Sequence, residues 1–224
     1  MRCIFVLINI TVLCKVCSEE QMTVSDGETK LKLVKVAREE FIEKGYANAS
    51  LRSICKKAGV TTGALYFLFR DKEDLFDAVV GGPLMELDAT VGAHLRRETE
   101  CVDIDPFDDS MDMEDSKLIM EILFKYKEEF ILLLTKAQGS KYENIKDRLI
   151  DEMQTHYKHF AIILEERFGA AHVDDYMVHF LAHIQIESFI YLLTHSKDKE
   201  EAMKELPEVI TNLRGGGIAT FGLR

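Results

Sequence analysis

The stretch from residue 44 to residue 70 contains several basic residues and no acidic one. This is unusual in a chain of 224 residues whose formal net charge is −11. A local positive surface on an acidic protein favours an anionic partner, and the chemistry that it offers is contact with phosphate or another anion. Five residues supply the positive charge of this stretch: Lys44, Arg52, Lys56, Lys57 and Arg70.

The same stretch predicts two short helices that are joined by a tight corner. Ser50 can cap a helix that runs to Ala58, and Thr61 can cap a second one, because both hydroxyls can accept hydrogen bonds from N–H groups of the following turn. Gly59 lies between the two helices and can adopt a positive φ angle, which a side chain would oppose. This order of signals predicts a helix-turn-helix.

Apolar and polar residues divide around this corner as two crossing helices require. Polar groups at the start of the second helix would lie at the positive end of its dipole. The hydrogen-bond donors and the dipole would therefore act on the same anion. The predicted shared core consists of Ile54, Ala58, Val60, Leu65 and Phe69. The residues predicted to lie largely outside it are Arg52, Lys56, Thr61, Thr62, Tyr66 and Phe67.

Composition and charge favour an all-α protein with one surface for a polyanion. The chain has three prolines and long stretches rich in Leu, Ile, Glu and Lys, and it shows no run of short alternating strands. Its length is enough for one large domain or two modest ones. Residues 22–80 carry a formal charge of about +1 and residues 81–224 about −12, so contact with a nucleic acid is expected only in the N-terminal part.

Residues 29–75 resemble the N-terminal domain of the TetR family of bacterial transcription regulators. The resemblance begins in a first helix that contains Ala37, Phe41, Gly45 and Tyr46, and it continues through the sequences SLRSICKKAGV, TTGALYFLF and DKEDL in that order. It implies an all-α protein with an N-terminal three-helix helix-turn-helix domain, followed by a larger helical domain for ligand binding and dimerisation.

The resemblance also implies a role for residues around the second helix of the corner. Phosphate anchoring is implied chiefly for Thr61, Thr62, Tyr66 and Lys72, with Arg52 adding a backbone contact, whereas Gly63, Ala64 and Phe67 would lie close to base edges. Since side chains able to form bidentate hydrogen bonds are scarce here, sequence recognition would depend on apolar contacts and DNA shape. Two positions depart from the family pattern: Cys55 replaces the usual alanine, and Leu68 replaces a residue that is often histidine or another polar or aromatic type.

The function that the resemblance implies is that of a cytoplasmic, ligand-responsive transcription regulator, and a repressor in particular, although activators share this architecture. It would bind a near-palindromic double-stranded DNA operator as a homodimer and release it when an unknown small-molecule effector binds. No cofactor, metal or membrane is expected. The predicted domains are residues 22–80 for DNA binding and residues 81–224 for ligand binding and dimerisation.

Helical periodicity continues beyond the DNA-binding domain. The sequence Gly81-Gly82-Pro83 predicts a break or bend that could serve as a joint between the domains. The acidic segment 101–113, which contains Pro106, predicts a loop. Helices are predicted over residues 84–100, 114–137, 142–168, 174–195 and 197–213, with the last one ending before three consecutive glycines. The resemblance places the dimer interface on the last two.

Residues 1–21 form a doubtful N-terminal extension with an apolar run from residue 3 to residue 13. The run is too short to span a bilayer, but it would suit the core of a signal peptide. In that case the protein would be an exported helical interaction protein. We favour a different interpretation, in which the protein begins at Met22 and the preceding residues come from a misplaced start or form an added arm.

Other candidate sites are weaker. Cys14 and Cys17 have the spacing of a metal or redox pair, but no second pair or nearby histidine completes a zinc site. Cys55 would be the interesting thiol if the protein sensed oxidation, although a reduced thiol is the simpler expectation. His179 and His183 lie four residues apart without the glutamate of a hydrolytic zinc motif. We find no phosphate-binding loop or nucleophile elbow, so an enzyme is not expected.

Overall fold

The computed structural model describes residues 24–100 and 110–223, and the regular secondary structure of these residues is entirely α-helical. This confirms the predicted all-α class. The doubtful extension, with Cys14 and Cys17, lies outside the described residues, as does most of the predicted loop 101–113. The helices are α1 (Val24–Asn48), α2 (Leu51–Ala58), α3 (Thr62–Leu68), α4 (Lys72–Glu100), α5 (Ser110–Lys125), α6 (Lys127–Thr135), α7 (Ile145–Phe168), α8 (Asp175–His195) and α9 (Lys199–Thr220).

The chain divides into two compact units. The described part of the first, which we call the N-terminal unit, comprises residues 24–86 and 126–145 and so contains α1, α2, α3, the first half of α4 and α6. The second, the C-terminal unit, comprises residues 87–100, 110–125 and 146–223 in its described part.

Helix α1 organises the core of the N-terminal unit. Leu33, Ala37 and Phe41 recur every four residues, so they share one face of the helix, and all three are fully buried. The ring of Phe41 meets that of Phe76 from α4 edge to face, with centroids 4.9 Å apart. Near its end α1 departs from helical geometry at Gly45, whose φ is 76°.

Helix α4 runs without a break through Gly81, Gly82 and Pro83. Of the two predicted outcomes, a break or a bend, the break is therefore wrong, and the bend stays a prediction. Proline removes one hydrogen bond from a helix and two glycines weaken it, and these local costs predicted the joint. Burial on both sides of the sequence outweighs them, because Val79, Val80 and Leu84 are all buried. Residues 72–80 and 84–100 therefore belong to a single helix.

The predicted helix over residues 114–137 is two helices in the structure. It is interrupted at Tyr126, whose φ of −119° and ψ of 36° lie outside the helical range. No glycine or proline marks this position, so the sequence pattern carried no signal for it. Helix α5 also begins at Ser110, within the segment predicted as a loop. Helices α7 and α8 confirm the predicted helices over 142–168 and 174–195 to within a few residues, and the carboxylate of Asp174 caps α8.

In the C-terminal unit, α5 packs against α8 and α9. Helix α9 continues through the three glycines to Thr220, so the prediction that it ends near residue 213 is wrong. The reason is the residue that follows. Phe221 is buried in a cluster with Ala161, Leu164 and Val178, and its carbonyl accepts a hydrogen bond from the N–H of Ala171 at 2.8 Å. The helix therefore extends far enough to place this ring.

Helix α8 is the most apolar element. Among the described residues it alone is long and apolar enough to cross a membrane by length and composition, and only 28% of its most apolar window is buried within the chain. Large apolar side chains on its exposed surface are Tyr176, Phe180, Ile184 and Tyr191.

Candidate nucleic-acid interface

The corner between α2 and α3 has the caps and the turn that the sequence predicts. Ser50 Oγ accepts a hydrogen bond from the N–H of Ser53 at 3.4 Å, and Thr61 Oγ1 accepts one from the N–H of Ala64 at 3.1 Å. Gly59 ends α2 in the left-handed conformation with a φ of 66°. Its N–H bonds to carbonyls of the last turn of α2. These local contacts confirm the predicted helix-turn-helix geometry.

The residues predicted to form the core between the two helices are buried. Ile54, Ala58 and Leu65 have no exposed surface, and Phe69 is almost as deeply buried. Val60 is only half-buried, because it lies in the corner itself. Cys55 is buried as well, and burial raises the pKa of its thiol, which opposes formation of the reactive thiolate.

Helix α3 presents an exposed aromatic pair. Tyr66 is 58% exposed and Phe67 is 76% exposed, although both rings are large and apolar. Paired aromatic residues at the surface of a small helix indicate a partner that covers them. At the start of the same helix Thr61, Thr62 and Gly63 are exposed and Ala64 is half-buried, so the free N–H groups of the first turn lie at the surface.

Lys72 differs from the other residues of the predicted interface. Its Nζ donates a hydrogen bond to the carbonyl of Ala47 at 3.1 Å and lies 4.7 Å from the centroid of the Tyr46 ring. Burial lowers the pKa of this lysine. The structure therefore holds Lys72 against the end of α1. Arg52 on α2 is exposed and forms no ion pair with an acid in residues 24–100 and 110–223.

A buried carboxylate that the sequence analysis missed fixes α2 against α1. Glu40 has no exposed surface, yet Lys44 Nζ and Lys57 Nζ each lie 2.7 Å from its oxygens and Ser53 Oγ donates to it at 3.2 Å. Burial alone would raise the pKa of Glu40, but the hydrogen bonds from Lys44, Lys57 and Ser53 outweigh burial and lower the pKa to about 2. The spacing of four residues between Glu40 and Lys44 was the available sequence signal.

Residues 33–79, which include α2, α3 and most of α1, match the family model of the bacterial regulatory proteins of the tetR family. The uncharacterized HTH-type transcriptional regulator TtgW of Pseudomonas putida is 36% identical over 99 residues, which cover 43% of this chain and 72% of that protein. The chain belongs to the TetR family. This confirms the resemblance on which the expected function rests.

Other relatives match a smaller part of their own length. The regulator AcrR of Shigella flexneri is 30% identical over 139 residues, which cover 59% of this chain and 64% of AcrR. The regulator SrpR of Pseudomonas putida is 36% identical over 99 residues, and the chain spans 46% of its length. TetR-family proteins are DNA-binding regulators, so membership confirms that this chain is not an enzyme. None of these relatives supports the alternative of an exported interaction protein.

Two solved structures extend the likeness to most of the TetR-family fold. A transcriptional regulator from Aquifex aeolicus is 25% identical with a TM-score of 0.50, and the match covers 86% of this chain and 99% of that one. NalD, the secondary repressor of the MexAB-OprM multidrug efflux pump in Pseudomonas aeruginosa, shares the fold at 19% identity with a TM-score of 0.54, covering 84% and 96% of the two chains.

Helix α6 and the loop that follows it are bound to the helices that carry the DNA-binding corner of this TetR-family protein. On α1, Arg38 contacts Glu129 at 2.5 Å and Glu128 at 2.7 Å, and Lys136 Nζ donates to the carbonyl of Ile42 at 2.7 Å. The left-handed Gly45 leaves room for this approach, because a Cβ there would lie 3.2 Å from the Lys136 carbonyl oxygen.

The same segment is tied to α4 by a second set of contacts. Tyr126 Oη donates to Glu86 at 2.8 Å, the N–H of Lys141 donates to Glu73 at 3.0 Å, and the Lys141 ammonium pairs with Asp77. Residues 126–142 are therefore bound to both α1 and α4 within the N-terminal unit. We call this segment, with its contacts, the α6 clasp.

The histidine pairs show no metal geometry. His179 Nδ1 lies 3.0 Å from Gln154 Oε1, and its ring meets that of His183 edge to face with centroids 5.9 Å apart. Within residues 24–100 and 110–223 no three His, Cys, Asp or Glu side chains converge as a metal site requires.

Proposed function

We propose that this chain is a ligand-responsive transcriptional regulator that binds a near-palindromic DNA operator as a homodimer and acts as a repressor. The observation that carries the proposal is the exposed surface of α3, where free N–H groups of the first turn lie beside an uncovered aromatic pair. A DNA major groove offers both phosphate acceptors for these donors and apolar thymine methyl groups for the rings. Residues 22–80 would form the DNA-binding domain.

In the proposed complex, contacts divide by chemistry. The exposed hydroxyls of Thr61 and Thr62, the phenol of Tyr66 and the guanidinium of Arg52 would bind phosphates. Gly63 and Ala64 allow a close approach of the α3 backbone, and Phe67 would contact base edges, where a thymine methyl is its natural partner. Besides the phosphate contact that the resemblance implies, Lys72 would support the interface by holding the end of α1 in place, because its ammonium donates a hydrogen bond to the Ala47 carbonyl.

Homodimer formation is supported by the incompletely covered apolar surface of α8. A helix of this hydropathy with 28% of its most apolar window buried needs a further apolar partner in water. A second copy of the same chain provides one, in agreement with the interface that the TetR resemblance implies. Two DNA-binding corners would then meet two half-sites, which gives the operator its near-palindromic form.

The α6 clasp supports a route for effector control. An effector that changes the position of α6 would act on α1 through the ion pairs of Arg38 and the hydrogen bond of Lys136. It would act on α4 through the contacts of Tyr126 and Lys141. Binding that favours one position would shift the population of DNA-competent dimers.

The experiment that tests the proposed function is selection of duplexes from a random library on the wild-type protein, followed by binding measurements on the enriched sequence. We expect a near-palindromic site, and Phe67→Ala should weaken binding to it by about tenfold or more, as loss of a base contact does. Replacing thymine by uracil in the half-site should also weaken binding.

The matched control is Phe168→Ala, which removes another exposed phenylalanine from the end of α7. It should bind the selected duplex like the wild type. Failure to enrich any sequence, or equal affinities for the two alanine variants, would contradict the proposal.

A further inference from the structure

Three of the five cations in residues 44–70 are engaged by acids of the N-terminal unit. Lys44 and Lys57 share the two oxygens of the buried Glu40 at 2.7 Å each. Arg70 pairs with Asp74 on the first turn of α4 at 3.3 Å. Lys57 Nζ also lies 3.6 Å from Glu43, so Glu40 and Glu43 together offset the charges of Lys44 and Lys57, and Asp74 offsets that of Arg70. The field of these three cations is therefore largely cancelled at the distance of a DNA phosphate.

The remaining two cations, Arg52 and Lys56, are available to an outside anion. Both are exposed, and neither forms a hydrogen bond or an ion pair through its side chain with another side chain in the described ranges 24–100 and 110–223. They are four residues apart on α2 and therefore share one face of that helix.

The face of α2 that carries Arg52 and Lys56 is different from the face that packs against α1. Ser53 and Lys57 both contact Glu40, so their side of α2 faces α1. Arg52 and Lys56 lie about 100° away from that side around the helix axis. The apolar side, with Ile54 and Ala58, is buried. The neighbouring residues Lys56 and Lys57 thus have different environments, because successive residues of an α-helix point about 100° apart around its axis.

We propose that Lys56 is a phosphate-binding residue that acts beside Arg52 when the protein binds DNA. Glu40 determines which cations are available for this role, because it pairs with Lys44 and Lys57 and not with Arg52 or Lys56. In this assignment Lys44 and Lys57 hold α2 against α1 and take no part in DNA binding. The inference rests on the proposed DNA-binding function and adds to it a residue to which the family resemblance gave no role and which the sequence did not distinguish from the other four cations of the stretch.

The test compares Lys56→Gln with the matched variant Lys57→Gln on the duplex selected by the wild-type protein. Binding is measured as a function of salt between about 50 and 200 mM, because the slope of log K against log salt falls by about 0.9 for each phosphate contact that is lost. Lys56→Gln should lower that slope by about 1.8 in a dimer, through one lost contact in each subunit. Its thermal unfolding midpoint should equal that of the wild type.

Lys57→Gln should show the opposite behaviour, with the wild-type salt slope and a lower unfolding midpoint, since it removes one of three donors to a buried carboxylate. A wild-type slope for Lys56→Gln, or equal slope changes in the two variants, would overturn the inference while leaving the proposed function intact. Absence of salt-dependent binding by the wild-type protein would overturn both. Circular dichroism verifies that each variant is folded.

Discussion

Glu40 illustrates how a single ionised group can position a binding surface. A carboxylate without exposed surface is costly to bury unless its oxygens are fully hydrogen-bonded. Here two ammonium groups and a hydroxyl reach it, and two of these three donors come from α2. The ionised form of Glu40 therefore stabilises the contact between α1 and the helix that precedes the DNA-binding α3.

This arrangement predicts a specific pH dependence. The pKa of Glu40 is lowered from 4.5 to about 2 in the folded protein, so its stabilising contribution is complete above pH 4.5 and is lost as the pH falls toward 2. Glu40→Gln should lower the free energy of unfolding at neutral pH by on the order of 2 kcal/mol, the usual contribution of hydrogen bonds to a charged group. Urea unfolding at several pH values measures this difference.

The difference between the wild type and Glu40→Gln should shrink between pH 4.5 and pH 2, where the wild-type carboxylate becomes protonated. The neighbouring exposed Glu39 provides the control, and Glu39→Gln should unfold like the wild type throughout. A constant difference across this pH range would mean that the charge of Glu40 contributes nothing.

At this scale the sequence predicted what depends on local chemistry. Ser50, Gly59 and Thr61 perform their roles through contacts within a few residues, and such roles are readable from spacing. Two of the three partners of Glu40 lie on α2, and the carbonyl that Lys72 binds lies on α1, so their identity depends on how the helices cross. The count of five cations could not reveal that only Arg52 and Lys56 lack an acid partner within the part of the chain that the structure describes.

Helix α4 shows that burial can override helix-breaking residues. Pro83 and two glycines would interrupt an isolated helix, but the buried residues on both sides keep the helix continuous. The opposite happens at Tyr126, where a sequence of good helix formers is interrupted. There the hydrogen bond to Glu86 and the ion pairs of the following turn with Arg38 favour a change of direction. Breaks of both kinds depend on tertiary contacts and could not be predicted from periodicity.

The continuity of α4 can be tested by substituting its glycines. Gly82 lies inside the helix, and a Cβ added there would meet no described atom within 4 Å. Gly82→Ala should therefore raise the free energy of unfolding by about 0.5–1 kcal/mol, because alanine has the higher helix propensity. Chemical denaturation gives the value.

Gly45→Ala is the informative contrast on α1. Its φ of +76° disfavours any side chain, and the new Cβ would lie 3.2 Å from atoms of Lys136. This variant should be destabilised by more than about 1 kcal/mol and should loosen the α6 clasp. Destabilisation by Gly82→Ala as well would show that residue 82 is not in a regular helix.

At the scale of the whole molecule, charge and apolar surface are distributed between different parts of the chain. Residues 22–80 are close to neutral and contain the exposed cations of α2, whereas residues 81–224 carry a formal charge of about −12. Residues 81–224 are thus repelled by DNA, and the exposed apolar surface of α8 within them suits a protein partner. The charge division could be predicted from composition. The exposed side of α8 could not, because the apolar residues of that helix are spread around it rather than confined to one face.

The proposed homodimer would bury Phe180 at its interface. This residue is 46% exposed on α8, beside the exposed Ile184. In a dimer formed through α8 and α9, Phe180→Glu would bury a carboxylate without a partner in each subunit. We expect the dimer dissociation constant to rise by about a hundredfold or more, because an unpaired buried charge costs about 3 kcal/mol or more. Sedimentation equilibrium measures the change directly.

Ile162→Glu is the matched control, since Ile162 is 53% exposed on α7, outside the proposed interface. It should remain dimeric, and both variants should retain the helical content of the wild type. Since two half-sites must be bound together, the monomeric Phe180→Glu variant should also lose most of its affinity for a palindromic duplex, even though its α2 and α3 are unchanged. If Phe180→Glu is as dimeric as Ile162→Glu, the apolar surface of α8 has some other partner, and the two DNA-binding corners must be brought together by a different face.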